Sequence, residues 1–118
     1  MNNNGFTGLG VDGNLTSGSI RVTMSDSVAA NNGHQGVVVE SSSAPTAVMV
    51  RNSTIANNVD IGLWAIAASA TLRVTRSTIT GNGIGWSTSN SGTVSSYSDN
   101  NVDGNGADGV PTGTLAPK

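Results

Sequence analysis

One pattern recurs along the whole chain and limits what the chain can fold into. In every copy a glycine with an apolar neighbour comes three to five residues after an asparagine, and in four of the five copies an aliphatic residue precedes that asparagine by three positions. The asparagines that mark the pattern are Asn4, Asn31, Asn58, Asn82 and Asn105, at intervals of 27, 27, 24 and 23 residues. A unit of this size cannot bury its own apolar side chains, but stacked copies can. The pattern therefore predicts one repetitive domain of stacked coils.

Each repeat is predicted to consist of short strands joined by turns. Apolar residues alternate with polar ones, as in Val48 and Val50 before Ile55, and a period of two is typical of strands. Gly, Asn, Ser and Thr supply 59 of the 118 residues, and they favour turns over helices. Met24 lies one residue out of phase with Val28, which predicts a β-bulge between them.

Equivalent side chains of successive coils are expected to stack in columns. We expect two apolar columns: Val28, Ile55, Ile79 and Val102, and Leu9, Val37, Leu63, Trp86 and Val110. The five asparagines form a third column. An amide both donates and accepts, so each asparagine can bond the next across the strand spacing of about 4.8 Å. Asparagine also tolerates the left-handed backbone that a sharp bend requires.

The motifs SxIxxNxxxG and DSVAANNGHQG resemble repeats of right-handed parallel β-helix proteins, the pectate-lyase-like superfamily. The segment SYSDNNVDGNGADGVPTGTLAPK resembles the C-terminal end of bacterial members. The resemblance covers essentially the whole chain. It implies an all-β, single-stranded right-handed parallel β-helix of about five short coils. Because lyases, hydrolases, isomerases, adhesins and inert scaffolds share this fold, it selects no single function. A soluble, secreted or cell-surface location fits the resemblance. Because no signal peptide is visible, the alternatives are the mature part of an exported chain, a fragment, or a protein that stays inside the cell.

Composition and charge exclude several classes of function. Cysteine is absent, so there is no disulfide, thiolate nucleophile or cysteine-ligated metal. The formal net charge is −2 with five Lys and Arg residues, which argues against nucleic-acid binding. No stretch approaches the roughly 20 apolar residues of a membrane-spanning helix.

The first candidate site combines two carboxylates with an indole. If Leu9 and Val37 point inward, Asp12 and Glu40 point outward on adjacent coils, roughly 5 Å apart, which is near the carboxylate separation of retaining glycosidases. Trp64 points outward on the following coil, and a flat indole can stack on sugar rings. These residues are candidates for catalysis and substrate binding; the alternative is a solvated face.

The second candidate site is basic. Arg51, Arg73 and Arg76 are expected to point outward on neighbouring coils and to hold an acidic sugar polymer. The alternative is that scattered arginines only solvate the sheet. Lyases of the superfamily use calcium held by acidic residues together with an arginine base, and no residue here matches that arrangement.

The third candidate site contains the only histidine. His34 follows Asn31 in a turn, and Asp60 has nearly the same place one coil later. The pair could hold a divalent metal, with Met24, Met49 or waters completing the ligands, or could transfer protons. The alternative is a histidine that caps a turn. The sequence requires no cofactor.

The ends of the chain suggest how the domain is bounded. Residues 1–118 are expected to form one domain that starts mid-coil and ends in a cap over residues 106–118. Pro111 and Pro117 flank a last strand-like piece, Thr112–Ala116, and proline blocks strand addition. The N-terminal coil has no visible cap, and we expect it to pair with another copy.

Three functions remain after these considerations. The first is a carbohydrate-associated module that binds or processes a polysaccharide. The second is a structural domain that assembles with copies of itself. The third is a metal-dependent enzyme or oxidoreductase that uses His34 and Asp60.

Overall fold

The structure, a computed structural model, describes residues 1–14 and 17–115, in which thirteen short β-strands and no helix occur. The strands are β1 (Leu9–Asp12), β2 (Ile20–Ser25), β3 (Val28–Ala30), β4 (Val37–Glu40), β5 (Thr46–Arg51), β6 (Thr54–Ala56), β7 (Ile61–Ile66), β8 (Ala70–Thr75), β9 (Thr78–Thr80), β10 (Ile84–Ser89), β11 (Thr93–Ser96), β12 (Asn101–Val102) and β13 (Gly113–Thr114).

The strands form three sheets in which every pair is parallel. Sheet 1 has the order β1-β4-β7-β10, sheet 2 has the order β13-β11-β8-β5-β2, and sheet 3 has the order β12-β9-β6-β3. The chain visits sheets 1, 2 and 3 in turn, so each coil adds one strand to each sheet. This arrangement is the predicted parallel β-helix, and the five repeats make about four complete turns. Among the described residues there is no helix long and apolar enough to cross a membrane.

Inward-pointing aliphatic side chains fill the space between the sheets. Leu9, Val37, Leu63 and Trp86 are register partners on sheet 1, as predicted. Ile55 and Ile79 are partners on sheet 3, and each is 0% exposed. Full burial of one such side chain stabilises the fold by about 1.5–3 kcal/mol, so the stacked columns hold the coils together.

The predicted column on sheet 3 is wrong by one residue in its first coil. Ala29, not Val28, is the partner of Ile55, and Val28 pairs with Thr54 and is 48% exposed. A slip of one residue turns a side chain to the opposite face of a sheet. The predicted bulge is also absent: Ile20–Ser25 pairs with Thr46–Arg51 without interruption.

The asparagine column is present, but its second member is Asn32. Side-chain amides bond from coil to coil: Asn4 Nδ2 to Asn32 Oδ1 at 3.0 Å, Asn32 to Asn58 at 2.8 Å, Asn58 to Asn82 at 2.8 Å, and Asn82 to Asn105 at 3.0 Å. Each accepting oxygen also receives the backbone N–H of the same donor residue. Asn31 was the wrong choice from the Asn31-Asn32 doublet: it is exposed and donates to Asn2 Oδ1 instead.

The left-handed bend and the ladder are carried by different residues. The residue before each ladder asparagine has a positive φ: Asn3 at 58°, Asn31 at 57°, Asn57 at 56°, Gly81 at 70° and Gly104 at 72°. The prediction that the ladder asparagines themselves adopt this conformation is therefore wrong. Since left-handed backbone favours Asn and Gly, the doublets Asn31-Asn32 and Asn57-Asn58 combine one bend residue with one ladder residue.

The repeated glycine after each asparagine has a steric cause. A Cβ on Gly36 would lie 2.7 Å from the carbonyl oxygen of Gly62 and 2.9 Å from Asn58 Nδ2. A Cβ on Gly62 would meet Asn82 Nδ2 at 2.9 Å in the same way. Glycine is therefore required where the chain passes directly beneath the ladder.

A second ladder stands at the corner between sheets 2 and 3. Ser27 N–H donates to Ser53 Oγ at 3.2 Å, and Ser53 N–H donates to Ser77 Oγ at 3.2 Å. Ser77 N–H completes the series by donating to Asn100 Oδ1 at 2.9 Å. The serine of the SxIxxNxxxG motif is thus a structural residue, which the sequence analysis did not recognise.

The last coil ends differently from the prediction. Val110 is 81% exposed and does not join the column that ends at Trp86. Instead, Asp108 Oδ1 accepts Asn105 Nδ2 at 2.9 Å and so occupies the place of a further ladder residue. Within the predicted piece Thr112–Ala116, only β13 is a strand, paired with β11. Ala116 and Pro117 lie outside the described residues.

Candidate functional site

The outward surface of sheet 1, here called the tryptophan face, contains the first candidate site. Its outward positions form two columns from coil to coil: Gly10, Val38, Trp64 and Ser87, and Asp12, Glu40, Ile66 and Ser89. Asp12 and Glu40 are register partners on β1 and β4, and both are exposed. The expected juxtaposition of these two carboxylates is therefore present, with their strands about 4.8 Å apart.

The Asp12 carboxylate is oriented by its own turn. Its Oδ1 accepts the backbone N–H of Asn14 at 2.8 Å. The same Asn14 side chain accepts the N–H of Ser42 at 2.8 Å from the next coil. These bonds leave the second oxygen of Asp12 and the whole Glu40 carboxylate as acceptors at the end of the face.

Trp64 lies half-buried between two open grooves. Its Nε1 donates to Ser89 Oγ at 3.0 Å, so the indole is tied to the next coil. Trp64 is the register partner of Val38 and is therefore diagonal to Glu40. A groove of about 460 Å³ brings Trp64 together with Asp12, Glu40 and Gln35. A second groove, of about 430 Å³, lies on the other side of the indole and is lined by Gln35, Asp60, Ile61 and Ile84.

The predicted His34–Asp60 pair is formed at the edge of this face. His34 Nδ1 lies 3.0 Å from Asp60 Oδ2, and both side chains are about half exposed. The ring of Phe6 stacks on His34 with centroids 5.3 Å apart and planes at 11°. Asp60 also lines the second groove. The pair therefore adjoins the tryptophan face rather than standing apart from it.

The methionines that were predicted to complete a metal site around this pair do not lie near it. Met24 is buried in the core, and Met49 lies on sheet 2, so neither reaches His34. In residues 1–14 and 17–115 no cluster of three His, Cys, Asp or Glu residues is placed to hold a metal ion. Two ligands leave at least half of a metal's coordination to water.

The predicted basic patch is divided between two grooves on the outward surface of sheet 2, here called the arginine face. Arg51 and Arg76 line one groove, and Arg73 lines another with Arg21. Arg73 is the register partner of Met49, and Arg51 is the partner of Thr75, so the two arginines are diagonal neighbours. The structure thus places Arg21, Arg51 and Arg73 on this face and Arg76 at the corner that follows β8, and it separates the four arginines into two pairs.

The groove of Arg51 and Arg76 contains residues that sequence analysis missed. Thr23, Met49, Tyr97 and Asp99 line it as well. Asp99 accepts the backbone N–H of Arg76 at 3.0 Å, and this bond is the main cause that lowers the pKa of Asp99. Desolvation opposes it, and the Thr75 hydroxyl at 2.8 Å lowers the pKa further. Ser96 is the partner of Val74, whereas Asn101 pairs with Thr78, so the last coil has one additional residue at this corner. This addition lengthens the spacing between Tyr97 and Asn105, so the spacing of the asparagines does not align Tyr97 with the outward residues Arg51 and Thr75.

Comparison with known proteins supports the fold directly. A family model described as a right-handed beta helix region matches residues 1–114. Neither curated proteins nor solved structures give a significant match. Together with the three parallel sheets and the asparagine ladder, the match over nearly the entire chain leads to one conclusion: the chain belongs to the right-handed β-helix family.

Proposed function

We propose that this protein is a polysaccharide-binding module and that the tryptophan face holds the sugar chain. The observation that carries the proposal is the position of Trp64, whose indole is tied to Ser89 and stands between two grooves with acceptor groups around it. The family fold is associated with carbohydrate chemistry, which agrees with this choice.

The chemistry of the face matches that of a sugar ring. A pyranose has an apolar C–H surface and a rim of hydroxyls, so recognition requires a flat apolar platform beside hydrogen-bonding groups. Trp64 supplies the platform, and its fixed orientation reduces the entropy lost on binding. Asp12 and Glu40 accept hydroxyl protons, and Gln35, which lines both grooves, accepts or donates.

The fold also favours a polymer over a single sugar. The two grooves follow the stacking direction of the coils across β1, β4, β7 and β10, and share Trp64 at their junction. Adjacent strands repeat about every 4.8 Å, so an extended chain that lies along this direction crosses one strand after another. In this proposal successive residues of the glycan occupy the two grooves on either side of the indole.

A hydrolytic role for Asp12 and Glu40 is a separate part of the proposal. The two residues are register partners on parallel strands about 4.8 Å apart, close to the roughly 5–5.5 Å between the carboxyl groups of retaining glycosidases, in which one carboxylate is the nucleophile and the other is the acid and base. Binding does not require this step. Incubation of a retained polysaccharide with the protein, followed by analysis of chain length, tests it; a Glu40→Gln variant that still binds but no longer shortens the chain is the expected result if the pair is catalytic.

Affinity electrophoresis through gels of neutral and uronic-acid polysaccharides tests binding itself. The Trp64→Ala variant is expected to lose retardation on the gels that retard the wild type. Tyr97→Ala is the matched control, because it removes an aromatic ring from the arginine face. Equal retardation of Trp64→Ala and wild type, or no retardation of the wild type on any polysaccharide, contradicts the proposal.

A second candidate function, self-association through the first coil, is favoured by one observation. The inward side chains of that coil, Leu9, Val11 and Val22, are only partly buried, whereas their partners Val37, Val39 and Val48 are 0–1% exposed. Sedimentation velocity over a range of concentrations tests this function. A rising mass that Val11→Lys abolishes supports it, and a monomer at every concentration contradicts it.

A further inference from the structure

The groove on the arginine face carries features that polysaccharide binding at Trp64 does not use. Its volume is about 290 Å³, and it is bordered by Arg51 at the end of β5 and by Arg76 at the corner after β8. Both arginines are exposed. Within the part of the chain that the structure describes, the only carboxylate found within 4 Å of a basic side chain is Asp60, at His34. The two guanidinium groups of this groove are therefore available to an external anion.

Asp99 lies in the same groove and offsets part of this charge, but among the described residues it forms no ion pair within 4 Å with either guanidinium. Its Oδ1 accepts the backbone N–H of Arg76, and its Oδ2 accepts the hydroxyl of Thr75. Both carboxylate oxygens are thus committed to holding the corner. The charge of the groove is the sum of two guanidinium groups and one carboxylate, which favours a ligand with a single negative charge.

The backbone at Arg76 indicates that a guanidinium at this position has a use other than turning the chain. Arg76 has φ of 46°, and the two preceding residues of the same corner column, Asp26 and Asn52, have φ of 50° and 49°. Asp and Asn are favoured in left-handed backbone, whereas arginine is not. The position therefore holds a residue that is poor for the bend and good for binding an anion.

The apolar lining of the groove selects the rest of the ligand. Met49 contributes a thioether, which makes favourable contacts with aromatic rings. Tyr97 contributes a phenol ring that can stack against a second ring, and guanidinium groups also stack on aromatic faces. A carboxylate suits the arginines because a planar guanidinium binds it with two parallel hydrogen bonds.

From these features we propose that the groove between Arg51 and Arg76 binds a small aromatic carboxylate, with the carboxylate on the guanidinium groups and the ring between Tyr97 and Met49. A space of about 290 Å³ is sufficient for one such ring with its carboxylate. The ligand is bound rather than converted. This site lies on sheet 2 and is independent of the glycan site proposed on sheet 1.

Titration with benzoate, followed by NMR of the Tyr97 ring and of the arginine side chains, tests the proposal. Benzamide has the same shape without the charge, and glucuronate has the carboxylate on a hydroxylated ring. Benzoate is expected to shift the Tyr97 signals and to bind more tightly than either comparison compound. The proposal is overturned if benzoate shifts no signal of this groove, or if benzamide or glucuronate binds as tightly.

The variants separate binding from folding. Arg76→Asn removes the guanidinium but supplies the residue that Asn52 already has at the equivalent corner, so the fold is expected to be as stable as the wild type. Arg51→Gln removes the other charge, and Arg21→Gln is the control from the neighbouring groove. We expect Arg76→Asn and Arg51→Gln each to weaken benzoate binding about tenfold or more, and Arg21→Gln to leave it unchanged. Unchanged affinity in both Arg76→Asn and Arg51→Gln, or an equal loss in Arg21→Gln, contradicts the assignment.

Discussion

The tryptophan face and the arginine face are built from the same strand geometry, yet they differ in charge and in how their borders are held. The tryptophan face contains Asp12 and Glu40 and is preceded by the buried asparagine ladder. The arginine face contains Arg21, Arg51 and Arg73 and is followed by the serine ladder. In a β-helix the core fixes the inward positions, so the outward positions and the corners are where two faces of one molecule can acquire different chemistry.

The two ladders differ in how many bonds each residue makes. The Asn58 amide accepts from Asn32, donates to Asn82 and donates to the carbonyl oxygen of Ala29, and so joins three coils. The Ser53 hydroxyl accepts the backbone N–H of Ser27 and donates to the carbonyl oxygen of Arg51, which is in its own coil. It therefore joins only two coils. The border of the tryptophan face is therefore expected to be the more costly one to disturb.

The largest effect is expected from Asn58→Ala. The substitution leaves the backbone N–H of buried Asn32 without an acceptor, leaves its Nδ2 with only the 3.4 Å bond to the carbonyl oxygen of Met1, and removes the donor to Ala29. Several unsatisfied buried groups at about 1–3 kcal/mol each predict a loss of about 4 kcal/mol in the free energy of unfolding. Urea unfolding measures it. If the variant does not fold, Asn105→Ala at the partly exposed end of the ladder gives a smaller loss in the same assay.

A smaller effect is expected from Ser53→Ala. This change removes one hydroxyl that bonds the N–H of Ser27 and the carbonyl oxygen of Arg51. Because Ser27 is only half-buried and within reach of water, the expected loss is about 1 kcal/mol. A loss in Ser53→Ala equal to that of Asn58→Ala, measured by the same urea unfolding, would show that the two borders are equally costly to disturb.

The smallest effect concerns the pH dependence of the arginine face. The folded protein lowers the pKa of Asp99 from its ordinary value of 3.8, chiefly through the N–H of Arg76. A lowered carboxyl pKa contributes stability that is fully present above the ordinary pKa and is lost as the pH falls through the folded pKa. We expect Asp99→Asn to lower the melting temperature slightly at pH 7 and to have less effect near pH 3. A difference that grows towards acid pH would contradict this.

Much of the fold could be predicted from the sequence because stacking repeats the same signal on every coil. The Leu9, Val37 and Leu63 column and four of the five ladder asparagines follow from spacing alone. Asn31 and Val28 were misplaced because the doublet Asn31-Asn32 offers two registers that differ by one residue, and spacing does not choose between them. In the structure Ala29 and Asn32 are the buried members, which identifies the register that forms.

The candidate sites were less predictable because they depend on corners as well as on strands. Asp12, Glu40 and Trp64 were grouped correctly since all three lie within regular strands. Tyr97 and Asp99 were missed because the additional residue of the last coil lies between Ser96 and Asn101, in the segment that contains both of them. Their hydrogen bonds and groove depend on three-dimensional closure of that corner, for which the sequence has no periodic signal.

The Asp108 carboxylate gives the whole asparagine series a direction. Each ladder amide donates a hydrogen bond to the next residue on the C-terminal side, as Asn82 does to Asn105 and Asn105 to Asp108. The Asp108 carboxylate accepts such a bond but has no N–H to donate in turn. A further coil placed beyond Asp108 would therefore receive no side-chain hydrogen bond from Asp108. Lengthening such a molecule by design should therefore splice new coils into its middle, where every amide both gives and receives, and leave the terminal acid untouched.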